Sequence, residues 1–91
     1  MTLYAGLDVS QRETEICVID RDGRRIWRGR CSSDPESIAA ALRMHAAGAA
    51  RVGMETGPLS IWLWHGLREL GVTVDSCSPR LGRTLFAGKQ D

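Results

Sequence analysis

The chain has 91 residues, of which 43% are hydrophobic and 25% are charged, and its net charge is +1. This length and composition predict one small globular domain over residues 1–91, and the low net charge excludes bulk electrostatics as the means of binding a polyanion. No apolar run approaches the ~18 residues that a membrane span requires, and the first residues lack the features of a secretory signal, so we expect a cytoplasmic protein with no membrane partner.

The first third of the chain predicts three strands that follow one another as a meander. Over residues 3–9 two sets of side chains alternate, which is typical of a strand: Leu3, Ala5, Leu7 and Val9 point one way, and Tyr4, Gly6 and Asp8 point the other. Residues 14–20 and 24–31 predict the second and third strands. Asp22-Gly23 between them is a hairpin signal, because glycine tolerates a positive φ.

The rest of the chain predicts helices and strands in alternation. Asp34 and Pro35 are residue types preferred at a helix N-cap and at the first helical position. Gly71 is typical of a helix end. The predicted elements are, in order, a helix over 36–47, a strand over 51–55, a helix over 58–70, a strand over 72–77 and a helix from 78 to about 87.

This order of elements favours an α/β fold with a mixed five-stranded sheet. The right-handed connections predict the strand order 3-2-1-4-5, with strand 2 antiparallel and with helices on the faces of the sheet. That strand order is the common solution for such a chain, and the residues by themselves do not require it.

Two acidic side chains stand near the ends of apolar strands. Asp8 lies near the end of the first strand, and Glu55 ends the fourth. A buried carboxylate is unfavourable unless its charge is compensated. If the two strands are parallel neighbours, about 4.8 Å apart, both carboxylates can bind one Mg²⁺ or Mn²⁺ ion.

Each of these carboxylates also has an ordinary structural interpretation. Asp8 could cap the following turn by accepting hydrogen bonds from the amides of Ser10 or Gln11. Glu55 could pair with an arginine such as Arg51 or Arg12. The joint placement of the two acids at the ends of two strands favours the metal site over both alternatives.

Y-A-G-L-D-V-S-Q-R-E-T, the D-R-D-G hairpin and V-G-M-E-T-G-P-L-S-I-W-L-W-H-G-L together resemble the N-terminal domain of the DEDD-type insertion-sequence transposases. This group includes the Piv DNA invertase. The resemblance covers essentially the whole chain and implies a RuvC-like, RNase H-like fold. It also implies metal-dependent cleavage and exchange of DNA strands by four acidic residues, of which Asp8 matches the first and Glu55 the second.

The resemblance implies further parts that this sequence does not contain. The last two acids of the family lie in a K-T-D-x-x-D-A stretch after the fifth strand, whereas this sequence ends A-G-K-Q-D. The serine nucleophile of the family belongs to a larger C-terminal domain. We therefore expect a fragment with no nucleophile, which binds metal weakly and does not cleave DNA alone. The full-length protein is expected to form a homo-oligomer and to use a non-coding RNA.

Basic side chains are candidate contacts for nucleic acid. We assign this role to four of them: Arg12, Arg80, Arg83 and Lys89. Five other arginines, between residues 21 and 30, concentrate around the hairpin. For these the favoured interpretation is a strand at the sheet edge that its charges keep soluble.

Two other functions compete with the transposase interpretation. Sugar kinases and actin-like ATPases also begin with a strand, an aspartate and a turn, but they need a Gly-Thr or Gly-Ser pair after the aspartate. This chain has V-S-Q-R there, over residues 9–12. The other competitor is a non-catalytic remnant that dimerises or docks nucleic acid, and it predicts no metal binding at Asp8 and Glu55.

Overall fold

A computed structural model of the chain describes residues 2–55, 57–74 and 76–77. It has the predicted α/β class, with a mixed sheet and helices. The elements are β1 (Leu3–Val9), β2 (Glu13–Asp20), β3 (Arg25–Ser32), α1 (Pro35–His45), β4 (Arg51–Met54), α2 (Ser60–Glu69) and β5 (Ser76–Cys77). Neither described helix is long and apolar enough to cross a bilayer. The predicted last helix, from residue 78 to about 87, lies outside the described residues.

β1 lies at the centre of the sheet, whose strand order is β3-β2-β1-β4-β5. β2 runs antiparallel to both of its neighbours, and β4 runs parallel to β1. The two described residues of β5 pair in parallel with Gly53 and Met54. The carboxyl ends of β1 and β4 therefore meet at one edge of the sheet.

The hairpin between β2 and β3 forms at the predicted turn. Gly23 has a φ of +85°, the left-handed conformation that glycine adopts without strain. The Asp20 carboxylate accepts hydrogen bonds from the amides of Asp22 and Arg24, both at 2.9 Å. These bonds close the turn and fix which residues of the two strands face each other.

Both described helices pack on the same face of the sheet. Their buried side chains join those of the central strands in one apolar core, which includes Ala5, Leu7, Ile16, Val18, Ile38, Leu42, Val52, Met54, Leu63 and Leu67. Residues that alternate with the core residues along the strands point to the other side, which we call the second face. The described helices α1 and α2 lie on one face and do not cover the second face, and the predicted last helix lies outside the described residues.

The end of α2 explains why the fifth strand does not begin at Val72, as predicted. Gly71, with a φ of +84°, donates its amide proton to the carbonyl of Arg68, and Val72 donates to the carbonyl of Leu67. This pair of bonds is a Schellman motif. Because Val72 belongs to the helix cap, it does not begin a strand, and the described pairing with β4 starts at Ser76. The other described boundaries agree with prediction to within two residues, and both ends of β1 coincide with it.

Candidate metal and nucleic-acid site

Asp8 and Glu55 follow the last paired residues of two neighbouring parallel strands. Leu7 pairs with Met54, and the amide of Glu55 donates to the carbonyl of Leu7 at 3.2 Å, which extends the ladder by one bond. Asp8 and Glu55 are the next residues along β1 and after β4. Their backbones therefore lie side by side at the carboxyl ends of the strands.

The alternation of the strands assigns both carboxylates to the second face. Leu7 and Met54 are fully buried in the core, so the residues that follow them point away from α1 and α2. Asp8 is exposed and Glu55 is half-buried. The expectation of a buried carboxylate is wrong for Asp8, because its position on the second face leaves it in solvent.

The turn after β1 does not depend on Asp8. The amide of Ser10 donates to the carbonyl of Glu13 at 3.0 Å, and the Ser10 hydroxyl donates to the same oxygen at 2.8 Å. The alternative in which the Ser10 amide binds the Asp8 carboxylate is therefore not what the structure shows. Within the described part of the chain, the ion pairs shorter than 4 Å are made by Glu15 and not by Glu55.

The pair of carboxylates fits the ligand preference of Mg²⁺ or Mn²⁺. Magnesium binds oxygen ligands and usually takes one or two protein carboxylates, with water and phosphate completing its coordination. Asp8 is accessible to water, as this chemistry requires. Among the residues described, no group of three or more histidine, cysteine or acidic side chains is arranged to hold a metal ion. These residues therefore supply a two-carboxylate site at most.

A third acidic residue, Glu15, lies opposite Asp8 on the next strand. The register pairs Asp8 with Glu15, and Glu15 with Arg30. The Glu15 carboxylate accepts two hydrogen bonds from Arg28, from Nε at 3.0 Å and from Nη2 at 2.7 Å. Nε of Arg30 lies 3.9 Å from the same carboxylate. Glu15 is thus compensated by arginine and does not present a bare charge.

The charge of Asp8 also acts on Arg28. The hydrogen bonds that Arg28 donates to Glu15 raise the pKa of Arg28, and the charges of Glu15 and Asp8 raise it further, while desolvation opposes them. Arg28 is therefore within electrostatic range of Asp8. The second face combines acidic and basic groups beside the candidate metal site.

The other predicted site residues fall in two groups. Arg12 is exposed in the turn after β1, at the same end of the sheet as Asp8. Its carbonyl accepts a hydrogen bond from the amide of Ser33 at 3.0 Å, which holds the turn against the end of β3. Arg80, Arg83 and Lys89 lie outside the described residues.

A small cleft opens at the same edge of the sheet. It lies between the turn after β1 and the loop that precedes α2, and its walls include Val9, Pro58 and Leu59. In α/β proteins, ligands commonly bind near the carboxyl ends of parallel strands. Val9 alternates with Asp8 along β1 and packs against the core, so this cleft lies on the side of the sheet that α1 and α2 cover and not beside the two carboxylates.

Reasoning from the sequence did not find Glu15, or its pairing with Arg28 and Arg30. The sequence does contain a relevant pattern. Glu15 lies two residues before Cys17 in an alternating strand, and Arg28 and Arg30 are two residues apart in the next strand, so each pair points to one face of the sheet. Using it requires the register of the hairpin, which places Glu15 between Asp8 and Arg30.

Comparison with known proteins gives one result that bears on this site. No match to the chain was found among curated proteins. The family model DEDD_Tnp_IS110, described as a transposase, matches residues 5–87. That range covers most of the chain and includes both Asp8 and Glu55.

Proposed function

Because the chain belongs to the DEDD transposase family of the IS110 type, we propose that it provides part of the metal-dependent site that cleaves and exchanges DNA strands in transposition. Asp8 and Glu55 are the first and second of the four acidic ligands. The observation that carries the proposal is the register of β1 and β4, which sets these two acids side by side at the carboxyl ends of parallel strands.

In this proposal the two carboxylates bind the divalent metal ions and orient them. Asp8 belongs to the central strand, whose neighbours on both sides hold its backbone in place. Glu55 is fixed at its amide by the hydrogen bond to Leu7. When bound, divalent ions activate the attacking oxygen and stabilise the leaving oxygen of a phosphodiester. The strand order observed for the described residues agrees with the RNase H-like fold that we propose for the domain.

Two carboxylates alone hold divalent metal weakly. Two-metal sites place ions about 3.5–4 Å apart and share several ligands between them. We therefore propose that further acidic ligands complete the site, and that the 91-residue chain alone is inactive on DNA. Robust magnesium-dependent nuclease activity of this chain would contradict this part of the proposal.

The metal site is tested by titrating the ¹⁵N-labelled chain with Mn²⁺. A paramagnetic ion broadens the amide signals of residues near it, so signals around Asp8 and Glu55 should broaden first. Asp8→Asn and Glu55→Gln should each weaken Mn²⁺ binding at least about tenfold, because each removes a charged oxygen ligand. Excess Mg²⁺ should restore the wild-type signals by competition.

Glu36→Gln is the matched control. Glu36 is an exposed carboxylate in the first turn of α1, remote in the chain from both ligands. Its substitution removes the same charge as Glu55→Gln and should leave Mn²⁺ binding unchanged. Equal broadening in wild type and in the Asp8 and Glu55 variants would refute the site, and would favour a non-catalytic role.

A further inference from the structure

Four side chains on the second face form one row across the sheet. The register runs from Arg30 on β3 to Glu15 on β2, then to Asp8 on β1, and Glu55 follows on the other side of Asp8. We call this set the Asp8 row. Since neighbouring strands lie about 4.8 Å apart, Arg30 and Asp8 start from backbones about 10 Å apart.

Glu15 holds Arg28, a neighbour of this row on the second face, in a defined geometry. Its two hydrogen bonds with Arg28 form a fork-like contact, which fixes a guanidinium more firmly than a single bond does. The Glu15 side chain is only 20% exposed, whereas the Arg30 side chain is 67% exposed. The contact between Arg30 and Glu15, at 3.9 Å, is an ion pair without a short hydrogen bond, so Arg30 keeps its donors directed largely to solvent.

We propose that Arg28 and Arg30 bind backbone phosphates of the DNA strand whose reacting phosphate lies at Asp8 and Glu55. This inference rests on the proposed function and adds a substrate-binding surface to the same site. Arginine is suited to the task because its planar fork of donors matches a phosphate group. Glu15 acts as a positioning residue, which holds Arg28 on the second face.

The alternative for these arginines is a sheet edge that its charges keep soluble. Keeping a sheet edge soluble requires charged side chains, but it does not require them to point in a particular direction. It does not account for the two-bond contact of Arg28 with a largely buried carboxylate, or for the location of Arg30 in the same row as Asp8. Arg21, which is exposed in the hairpin turn at the other end of β2, has the same charge without this placement.

The salt dependence of DNA binding tests the proposal. The 91-residue chain is titrated against fluorescently labelled single-stranded and duplex DNA, with EDTA present, at several NaCl concentrations. The plot of log K against log[salt] has a negative slope. Each lost phosphate contact makes this slope less steep, by about 0.7 for single strands or about 0.9 for duplex DNA. Arg30→Gln should produce this decrease, and Arg30→Lys should restore the slope because it restores the cation.

Arg21→Gln is the control of equal charge and should leave the slope unchanged. The same decrease in Arg21→Gln and Arg30→Gln would overturn the proposal, because bulk charge would then explain both. Absence of measurable DNA binding would also overturn it, as would tighter binding to RNA of the same sequence with the same response to Arg30→Gln.

The experiment separates this inference from the proposed function. EDTA removes divalent metal, so the slope does not depend on Asp8 and Glu55 as ligands. If Arg30→Gln changes the slope while Mn²⁺ binding proves insensitive to Asp8→Asn, the phosphate surface stands and the metal site fails. If Mn²⁺ binding follows prediction while the slope is unchanged in Arg30→Gln, the metal site stands and the phosphate surface fails.

Discussion

At the scale of single residues, an aromatic pair joins the edge strand to the first helix. The rings of Trp27 on β3 and His45 at the end of α1 are parallel within 3°, with centroids 3.7 Å apart. Both side chains are half-buried, and Trp27 packs against the core. The contact holds β3, which carries Arg28 and Arg30, against the helical layer.

We expect His45→Ala to lower the free energy of unfolding by about 1 kcal/mol, because an aromatic pair contributes roughly 0.5–1.5 kcal/mol beyond its buried area. Urea denaturation followed by circular dichroism measures the change. Met44→Ala is the control, since Met44 is adjacent in the chain and 77% exposed. Its substitution should change stability by less than about 0.5 kcal/mol. Equal effects of the two substitutions would show that the ring contact adds no stability.

At the scale of elements, the two described helices begin in different ways. α1 has a side-chain cap, because the Asp34 carboxylate accepts hydrogen bonds from the amide of Ser37 at 2.8 Å and from its hydroxyl at 2.9 Å. α2 has Leu59 at the corresponding position and no side-chain cap. Instead, the amide and hydroxyl of Ser60 bond to the carbonyl of Gly57. This turn explains why α2 starts two residues later than predicted.

Asp34→Ala should lower the free energy of unfolding by about 1 kcal/mol, within the roughly 0.5–2 kcal/mol known for such caps. Loss of the carboxylate leaves an amide of the first turn without its partner. Chemical denaturation measures the effect, and amide hydrogen exchange over α1 should accelerate. Ser37→Ala removes only the hydroxyl bond and keeps the amide bond, so it should have the smaller effect. A larger loss in Ser37→Ala would contradict this account of the cap.

At the scale of the whole molecule, the two helices come into close contact at a glycine. A Cβ atom at Gly66 of α2 would overlap the ring of Pro35 in the first turn of α1. The glycine therefore permits both helices to pack on one face of the sheet. That packing leaves the second face, with Asp8, Glu15 and the arginines, without cover from α1 and α2.

Gly66→Ala should destabilise the protein, although alanine favours a helix by about 1 kcal/mol over glycine. Overpacking of a close contact costs about 1–3 kcal/mol, which outweighs the gain in helix propensity. Thermal and urea unfolding measure the net change. Glu69→Ala, at an exposed position of the same helix, should be nearly neutral. If Gly66→Ala unfolded at higher urea than the wild type, the helices would have room to separate at little cost.

The sequence by itself determined the features whose causes are local. The alternation of residues 3–9 predicted β1 with its observed ends, Asp22-Gly23 predicted the hairpin, and Asp34 predicted the start of α1. Each depends on residues within a few positions of one another, so their chemistry can be read directly from the chain. Asp8 and Glu55 were named in the same way, from their places at the ends of two strands.

Only the tertiary structure decided which distant residues face each other. Hairpin register sets Glu15 opposite Asp8 and gives it Arg28 as a partner, the Schellman motif delays the fifth strand, and close packing requires Gly66 beside Pro35. Local propensity does not encode these contacts, because each joins segments that come together only when the sheet and the helices pack. For the same reason, the exposure of Asp8 was not foreseen: it follows from which face of the sheet the helices cover.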